Sequence, residues 1–437
     1  MSQPSNWFGQ PRGLTILFLT NMWEQFSYFG MRALLVYYMT KQLLLAQESS
    51  SLIYGLYAGC AYFTPLVGGF IADRYLGKKR AIIIGGSVMA LGHFMMTSEP
   101  LFYAALATIA IGNGLFLPSL PSQIKDLYAP GDPRAGRAYN VYYVGVNIGG
   151  VLAMVGCGTL GELYGWHWGF GAAGVGMVIG LVIYLSGQRY LPSQHLQPRA
   201  VQASAPRDGM GLDTLLLLFG LGLAVTLFRS AYEQTGNTVM LWADVGVDKM
   251  AGSFVIPMTW FIAINPLCVM LMTPLLLAWW RKREAAGREP LPTQRMATGA
   301  LIVGAAYLLL SLLSLTAGSA GAHWTWFALF WVVLTLGELF ILPTGLGLFA
   351  RLAPVRFGAT TVASWFLATF AGNLCAGLVG TLWTRMSRPA FFALLAAICV
   401  LAAIGLRLLD ARARRASPSG LPVLNSPARP AIPEIAS

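Results

Sequence analysis

Long apolar segments recur through the whole sequence, and they constrain its fold more than any other feature. A helix needs about 20 apolar residues to cross the hydrocarbon core of a bilayer. Twelve such segments are predicted, with the bounds 13–40, 52–73, 81–98, 101–123, 138–161, 168–190, 211–240, 251–280, 296–317, 323–349, 358–384 and 389–408. Of the 437 residues, 56% are hydrophobic and 11% are charged, whereas soluble proteins are about 25% charged. The sequence therefore predicts an all-α membrane protein with twelve transmembrane helices.

The net charge of +12 is distributed unevenly between the two sides of the predicted membrane. With the N-terminus in the cytoplasm, most of the 29 Lys and Arg residues fall in cytoplasmic segments. The exceptions outside are Lys41, Lys249, Arg385 and Arg388. Such an excess of basic residues in cytoplasmic loops is the positive-inside rule. We therefore predict an integral protein of the plasma (bacterial inner) membrane with both termini in the cytoplasm, and the charge does not indicate nucleic-acid binding.

The chain divides into two halves whose motifs repeat. The stretch WEQFSYFGM in the first span matches YEQTGNTVM in the seventh, and GNGLFLPS in the fourth matches GELFILPT in the tenth. Each pair links span n to span n+6, which indicates a parallel duplication and the major facilitator fold. The predicted units are an N-terminal six-helix bundle (1–190), a central cytoplasmic linker (191–210), a C-terminal six-helix bundle (211–409) and a disordered cytoplasmic tail (410–437).

Five charged residues remain inside the predicted spans, namely Glu24, Arg32, Arg229, Glu233 and Glu338. Charge inside a membrane is costly, so these side chains are expected to face a cavity and a partner. Arg229 and Glu233 are four residues apart, hence one helical turn apart. Structural ion pairs that hold helices together are the alternative interpretation, and the two roles are compatible.

Several stretches resemble the signatures of the proton-dependent oligopeptide transporter family, in order along most of the chain. NMWEQFSYFGMRALLVYYM is similar to the family's first-span motif, and GGFIADRYLGKKRAIIIGG, with Asp73 and Arg74, to its second-span signature and gating loop. YNVYYVGVNIGG, AYEQTGNTVMLWAD and GELFILPTGLG match further blocks. The resemblance implies a major facilitator fold that imports di- and tripeptides with protons by alternating access. Some bacterial members carry two extra helices in mid-chain, and the short linker here leaves no room for them.

The resemblance also implies a set of substrate-binding residues, which are Tyr28, Arg32, Tyr62, Asn147, Glu233, Asn265, Glu338 and Trp365. Glu338 is similar to the acid that binds the peptide amino group, and Arg32 to the arginine that faces the seventh-span acid, here Glu233. Asn147 and Asn265 correspond to contacts with peptide termini or backbone, and the aromatic residues to pocket walls. A zwitterion needs an anion at one end and a cation at the other, and Glu338 and Arg32 supply them.

The chain departs from the family at its ionic residues. Asn21 replaces a glutamate, Gln25 an arginine and Leu117 a lysine, while Arg229 stands where the family has an aromatic residue. We hypothesise that Arg229 compensates for the missing lysine, either as the partner of Glu233 or as a ligand for the substrate carboxylate. Glu24 has lost its neighbouring cation. The proton-coupling candidates are therefore Glu233 and Glu24, which carries a proton or simply stays neutral.

The leading functional hypothesis is a monomeric secondary transporter of small peptides that needs no cofactor beyond the proton gradient and no metal. The altered pocket favours an alternative, which is import or export of a specialised peptide-like metabolite with changed or absent proton coupling. An intramembrane enzyme is disfavoured because the spans contain no HExxH motif, serine elbow or paired aspartates. A channel is disfavoured because the charges concentrate in one pocket.

Overall fold

The computed structural model describes residues 5–6, 9–129, 132, 134–192, 212–288, 290–316, 318, 321–352 and 358–415. Twelve long helices account for most of this part of the chain. They are α1 (Arg12–Tyr37), α2 (Gln47–Ile71), α3 (Lys78–Met95), α4 (Phe102–Ser122), α5 (Arg134–Ala153), α6 (Trp166–Ser186), α7 (Leu212–Tyr232), α8 (Met258–Ala285), α9 (Pro292–Thr316), α10 (Trp324–Leu352), α11 (Gly358–Gly380) and α12 (Arg388–Leu408).

Several helices continue with a changed pitch. Wider π-helical turns extend α1 over Tyr38–Gln42 and α2 over Ala72–Leu76, and another joins α5 to a short helix at Thr159–Leu163. In α7 the α-helix ends at Tyr232, and a tight turn over Glu233–Gly236 leads into a second helical segment at Thr238–Gly246. The break places Glu233, a site candidate, where the helical hydrogen bonding changes.

Six two-residue strands form three small sheets in the connections. β1 (Ser5–Asn6) pairs with β2 (Gln10–Pro11), and β4 (Met250–Ala251) pairs with β5 (Phe254–Val255), both antiparallel. β3 (Val247–Asp248) pairs in parallel with β6 (Ala322–His323). The predicted start of the eighth span at residue 251 is wrong, because short strands occupy residues 247–255. The helix begins only at Met258, because the extended backbone of Pro257 ends the turn before it.

The helices pack in the same pattern in the two halves. In the N-terminal half, α1 packs on α5 and α6, α2 on α4, and α3 on α4 and α6. In the C-terminal half, α7 packs on α11 and α12, α8 on α10, and α9 on α10 and α12. Each pair recurs six helices later, as the repeated sequence motifs predict. The halves meet mainly where α2 packs on α11 and α5 on α8.

Ten of the helices in the described ranges are long and apolar enough to cross a membrane. The other two are α1, which carries the polar stretch around Glu24, and α3, which begins with Lys78, Lys79 and Arg80. The polar side chains of α1 turn inward, where Asn21 and Glu24 are almost fully buried. The all-α membrane fold predicted from the sequence is confirmed. The mean hydropathy of α1 is low because this helix carries polar side chains that face the interior of the protein.

The predicted domain bounds lie partly outside the described residues. Most of the linker (193–210) and the tail from residue 416 onward belong to the ranges that are not described. Residues Asp410–Arg415, predicted as the start of the disordered tail, form a short helix, which we label α13. The Asp410 carboxylate accepts hydrogen bonds from Thr293 Oγ1 and Gln294 Nε2 and so ties this segment to α9.

Candidate functional site

A cavity lies between the two halves, and helices α1, α5, α7, α8 and α10 contribute its walls. It encloses about 830 Å³ of space between atoms, its open mouth included. Arg32 and Asn147 line it from the N-terminal half, and Tyr232, Asn265 and Glu338 from the C-terminal half. The sequence predicted four of these five residues as site residues, and Tyr232 is an addition. Because both halves contribute residues to this cavity, its shape changes whenever the halves move relative to each other.

Glu338 forms the anionic end of the cavity. Asn265 Nδ2 donates a hydrogen bond to Glu338 Oε2 at 2.6 Å and another to Thr335 Oγ1 at 3.0 Å. The Tyr232 hydroxyl also donates to this carboxylate. In the described part of the chain, no Lys or Arg forms an ion pair with Glu338. The carboxylate is therefore oriented by neutral donors and available to a ligand cation.

Glu233 forms the centre of a cationic cluster with Arg229 and Arg32, of which Arg32 lines the cavity. Its Oε2 atom accepts a hydrogen bond from Arg32 Nη2, and its Oε1 atom lies 2.8 Å from Arg229 Nη2. The Tyr54 hydroxyl accepts from Arg32 Nε at 3.0 Å and from Nη2 at 2.8 Å. Two arginines therefore share one carboxylate that is only 1% exposed. Buried ion pairs of this kind depend strongly on each partner, since losing one leaves an uncompensated charge.

Arg229 is held by aromatic rings more than by hydrogen bonds. Its guanidinium carbon lies 5.2 Å from the centre of the Tyr62 ring and 5.5 Å from that of Tyr232, close enough for cation–π attraction. The N–H bonds are not aligned with the Glu233 oxygen, and Nε and Nη2 have no hydrogen-bond acceptor among the described residues. Arg229 thus contributes charge to the cluster while most of its hydrogen-bonding capacity is unused.

The other residues around the first-span motif lie at different distances from the cavity. Gln25 Nε2 donates to Glu24 Oε2 at 2.6 Å, so a neutral amide stands where the family has a cation. Asn21 Nδ2 lies 3.4 Å from the carbonyl of Tyr142 on α5. Leu117 is half-buried on α4. Glu24 is therefore buried with an amide partner, and the described residues provide it with no ion pair.

The predicted aromatic and loop positions, namely Tyr28, Tyr62, Asp73, Arg74 and Trp365, are not among the residues that line the cavity. Trp365 packs edge-on against Phe349 in the core between α10 and α11, because Gly345 lets the indole ring approach closely. Asp73 and Arg74 are exposed in the π-helical turn after α2. Tyr28 packs on Phe29, which itself lines the cavity, so Tyr28 stands one side chain away. Asn147 lines the cavity while its Nδ2 donates to the Tyr143 carbonyl.

One end of the bundle is closed by contacts between the halves, and we call it the gated end. Its contacts are Tyr37 with the Met240 carbonyl (2.8 Å), Lys41 with Asp244 (2.6 Å), Gln47 with the Gly380 carbonyl (3.1 Å), Glu48 with Arg385 (3.4 Å) and Ser51 with Asn237 (2.9 Å). Gly55 lies directly on Gly377, where any larger side chain would separate α2 from α11. In the described ranges, the recorded polar contacts between the halves lie at this end or at the Arg32–Glu233 pair.

A second closure at the gated end joins the short helix that continues α5 to the start of α8, and no local signal in the sequence predicted it. Glu162 Oε1 and Oε2 accept the backbone N–H groups of Thr259 and Met258, both at 2.8 Å. Trp260 Nε1 donates to Thr159 Oγ1 at 2.8 Å. A carboxylate at a helix N-terminus satisfies free N–H groups and interacts favourably with the helix dipole.

We expect Glu162→Gln to weaken this closure by about 1–2 kcal/mol, because the amide keeps one acceptor oxygen and loses the charge. The measurement is the distance between spin labels on Ala46 and Ser387, two exposed positions that face each other across the gated end. The variant should populate longer distances than the parent. Glu99→Gln, an exposed position outside the closure, serves as the control. Identical distance distributions in all three proteins would contradict a closing role for Glu162.

Because Gly236 has no side chain, the Tyr54 hydroxyl can lie against its backbone. A Cβ atom at this position would overlap Tyr54 Oη and push it from Arg32. We expect Gly236→Ala to lower the folding stability by about 1–3 kcal/mol, which is the usual cost of overpacking a tight contact. Transport should fall about tenfold, because Tyr54 would no longer accept hydrogen bonds from Arg32. Thermal unfolding and uptake assays measure both. Gly222→Ala on the same helix meets only an ordinary contact at 3.8 Å and should behave like the parent.

Metal binding has no evident place in the described residues, where no group of three His, Cys, Asp or Glu side chains could hold an ion. The chemistry available at the cavity is instead electrostatic. Glu338 and Arg32 place one anion and one cation on the cavity walls, and Arg32 shares the Glu233 carboxylate with Arg229 behind them. This arrangement fits the binding of a small zwitterion and the exchange of a proton.

Comparisons with known proteins agree with the fold and identify the family. The POT family model matches residues 79–206 and 199–394. The peptide transporter YePEPT of Yersinia enterocolitica is 30% identical over 449 residues, which cover 85% of this chain and 88% of the relative. A di-/tripeptide transporter of Lactococcus lactis subsp. cremoris is 29% identical and covers 92% of this chain and 95% of its own.

A solved structure extends the similarity to three dimensions. The crystal structure of a peptide transporter POT in complex with sulfate superposes with a TM-score of 0.86 at 25% identity, covering 95% of this chain and 97% of that one. The family model and the relatives both span more than half of the sequence. The chain therefore belongs to the POT family, the proton-dependent oligopeptide transporters of the major facilitator superfamily.

Proposed function

We propose that this protein is a secondary active transporter of small peptides or peptide-like compounds, driven by protons and working by alternating access. The observation that carries the proposal is the cavity between the halves, which Arg32 lines from the N-terminal half and Glu338 from the C-terminal half. A peptide ammonium would bind Glu338 and Asn265, and its carboxylate would bind Arg32. The Yersinia relative, a peptide transporter, and the Lactococcus relative, a di-/tripeptide transporter, support the substrate class.

The positive-inside rule supports the orientation. It places the basic loops and both termini in the cytoplasm, which puts the gated end outside. The cavity would then be closed to the exterior by the gated-end contacts, and the conformation would be inward-facing. A monomer suffices for this cycle, because both halves of the cavity come from one chain.

Coupling is proposed to act at Glu233. A proton on this carboxylate would remove the anion that Arg32 and Arg229 share, and Arg32 would become free for the substrate carboxylate. Release of the proton would restore the ion pairs and the closed gate. One charge moving through 100 mV is worth about 2.3 kcal/mol, which is roughly fiftyfold accumulation. Glu24 is the second candidate proton carrier, since only Gln25 accompanies it.

The direct test is uptake of a labelled dipeptide by the purified protein in liposomes, with and without an inward proton gradient. Accumulation that requires the gradient would support the proposal. Exchange without accumulation would indicate a facilitator whose coupling was lost with the arginine and lysine that Gln25 and Leu117 replace. No peptide transport in either direction would contradict the substrate class.

The replaced ionic residues favour one alternative function, which is transport of a specialised peptide-like metabolite. Gln25, Leu117 and Arg229 all lie in the ionic region where the family recognises a simple peptide carboxylate and couples it to protons. Export of a modified amino-acid conjugate, siderophore or peptide antibiotic from cells is the corresponding measurement. Protection of a host strain against an added peptide antibiotic would favour this alternative over peptide import.

A further inference from the structure

We propose that the site selects substrates with a second negative charge, that is, peptides or peptide-like compounds with two carboxylates and one ammonium group. Arg229 would bind the additional carboxylate. The inference rests on the proposed transport of peptide-like compounds and specifies their charge.

The first argument is the charge of the cluster itself. Arg32 and Arg229 carry two positive charges, and both contact a single anion, Glu233. The cluster therefore has a net charge of about +1 in a region where an unpaired charge costs several kcal/mol. When the proton neutralises Glu233, the net charge rises to about +2. A substrate with one carboxylate on this side leaves one arginine uncompensated, whereas a substrate with two carboxylates compensates both.

The second argument is the unused hydrogen-bonding capacity of Arg229. The residue is 4% exposed, its Nε atom has no hydrogen-bond acceptor among the described residues, and its Nη2 atom lies 2.8 Å from Glu233 Oε1 without an aligned hydrogen bond. An arginine binds a carboxylate through two parallel N–H groups, and Nε with one Nη is such a pair. A buried donor pair without an acceptor is costly, and a ligand carboxylate would satisfy it.

The third argument is the position of Arg229 relative to the cavity. The guanidinium lies over the ring of Tyr232, and Tyr232 lines the cavity. Gly372 on α11 lies against the Cβ atom of Arg229, so the base of the side chain is confined while the guanidinium lies between the two tyrosine rings. Arg229 therefore lies behind a residue of the cavity wall, and a ligand carboxylate would reach it if the Tyr232 ring moved aside.

The experiment uses the full-length protein in proteoliposomes and labelled dialanine as the transported probe. Unlabelled alanyl-aspartate and alanyl-asparagine compete with it, because they differ by one charge at nearly constant shape. Alanyl-glutamate and alanyl-glutamine form a second matched pair. We expect each acidic peptide to inhibit at about one tenth of the concentration of its amide partner, which corresponds to about 1.4 kcal/mol.

Variants test whether Arg229 causes the preference. In Arg229→Gln each acidic peptide should inhibit at the same concentration as its amide partner, whatever the variant's overall rate of transport. Arg229→Lys keeps the charge without the planar pair of donors, and it should retain a reduced preference. Arg283→Gln, an exposed arginine at the end of α8, should match the parent. Thermal shifts with each peptide in detergent give the same comparison for any variant that folds but does not transport.

The outcomes separate the two proposals. Transport of dialanine without an acidic preference in the parent protein, or a preference that survives in Arg229→Gln, would overturn this inference and leave the proposed function intact. If Arg229→Gln does not fold, an absence of preference in the parent or in Arg229→Lys still overturns it. Neither uptake nor stabilisation by any peptide would overturn the proposed function, and this inference with it.

Discussion

Glu233→Gln is expected to reduce gradient-driven uptake of a labelled dipeptide by at least about 100-fold. The carboxylate is shared by Arg32 and Arg229 and is almost fully buried, so the amide leaves two buried cations without an anion. Removing one partner of a buried pair costs about 3–5 kcal/mol, which is enough to change the population of the closed gate by more than two orders of magnitude. The variant also lacks the group that is proposed to take up the proton.

The measurement compares two modes of transport in the same liposomes. Counterflow exchange of peptide without a gradient should persist at a reduced rate, while accumulation under a proton gradient should vanish. Glu48→Gln is the matched control, since Glu48 is a gated-end glutamate whose pair with Arg385 is exposed and therefore worth at most about 1 kcal/mol. Its uptake should stay within about twofold of the parent. Normal accumulation in Glu233→Gln would place the coupling elsewhere, with Glu24 as the next residue to replace.

Glu338→Gln is expected to weaken binding of an unblocked dipeptide by about 100-fold. The carboxylate has neutral partners, chiefly the Asn265 amide, so the glutamine keeps an acceptor oxygen for that hydrogen bond and folding should be unaffected. What is lost is the charge that faces the substrate ammonium, and a desolvated charge-assisted hydrogen bond is worth about 1.5–3 kcal/mol. The substitution should therefore weaken ligand binding and leave the folding stability of the protein unchanged.

A blocked substrate provides the control for Glu338. An N-acetylated dipeptide lacks the ammonium group, and its binding should be weak in the parent and unchanged in the variant. Affinities follow from the concentration dependence of thermal stabilisation in detergent, and competition in liposomes gives an independent value. Equal losses for the blocked and unblocked peptides would show that Glu338 shapes the cavity without binding the amino group.

The spans and the family could be predicted because their signals are local. Twenty consecutive apolar residues, or a motif such as the one around Glu24, are readable without knowing what they contact. The duplicated motifs predicted a repeated packing, and α1–α6 and α7–α12 show it. The exceptions were at helix ends, as at Met258, where a short hairpin of apolar residues has the same hydropathy as a membrane helix.

The pairing of charges could be predicted only in part. Arg229 and Glu233 are one turn apart on a helix, so their contact follows from spacing alone. The contact of Arg32 with Glu233 crosses 201 residues of sequence, and only the family motif indicated it. Tyr54, which accepts from Arg32, and Glu162, which caps α8, had no local signal. Trp365 was placed in the pocket by its motif but packs in the core, because a motif does not say which way a ring turns.

By itself, the sequence determined that this chain crosses a membrane as two related helical bundles and carries a few charges that must face inward. The hydropathy and charge of each segment can be evaluated without knowing what the segment contacts, which is why the sequence alone supports these conclusions. Only the tertiary structure decided that two arginines share Glu233, that Glu338 forms no ion pair with a Lys or Arg of the described residues, and that one end of the bundle is closed. Those results depend on distances between helices that are far apart in sequence, and ion pairs and hydrogen bonds act only over a few ångströms.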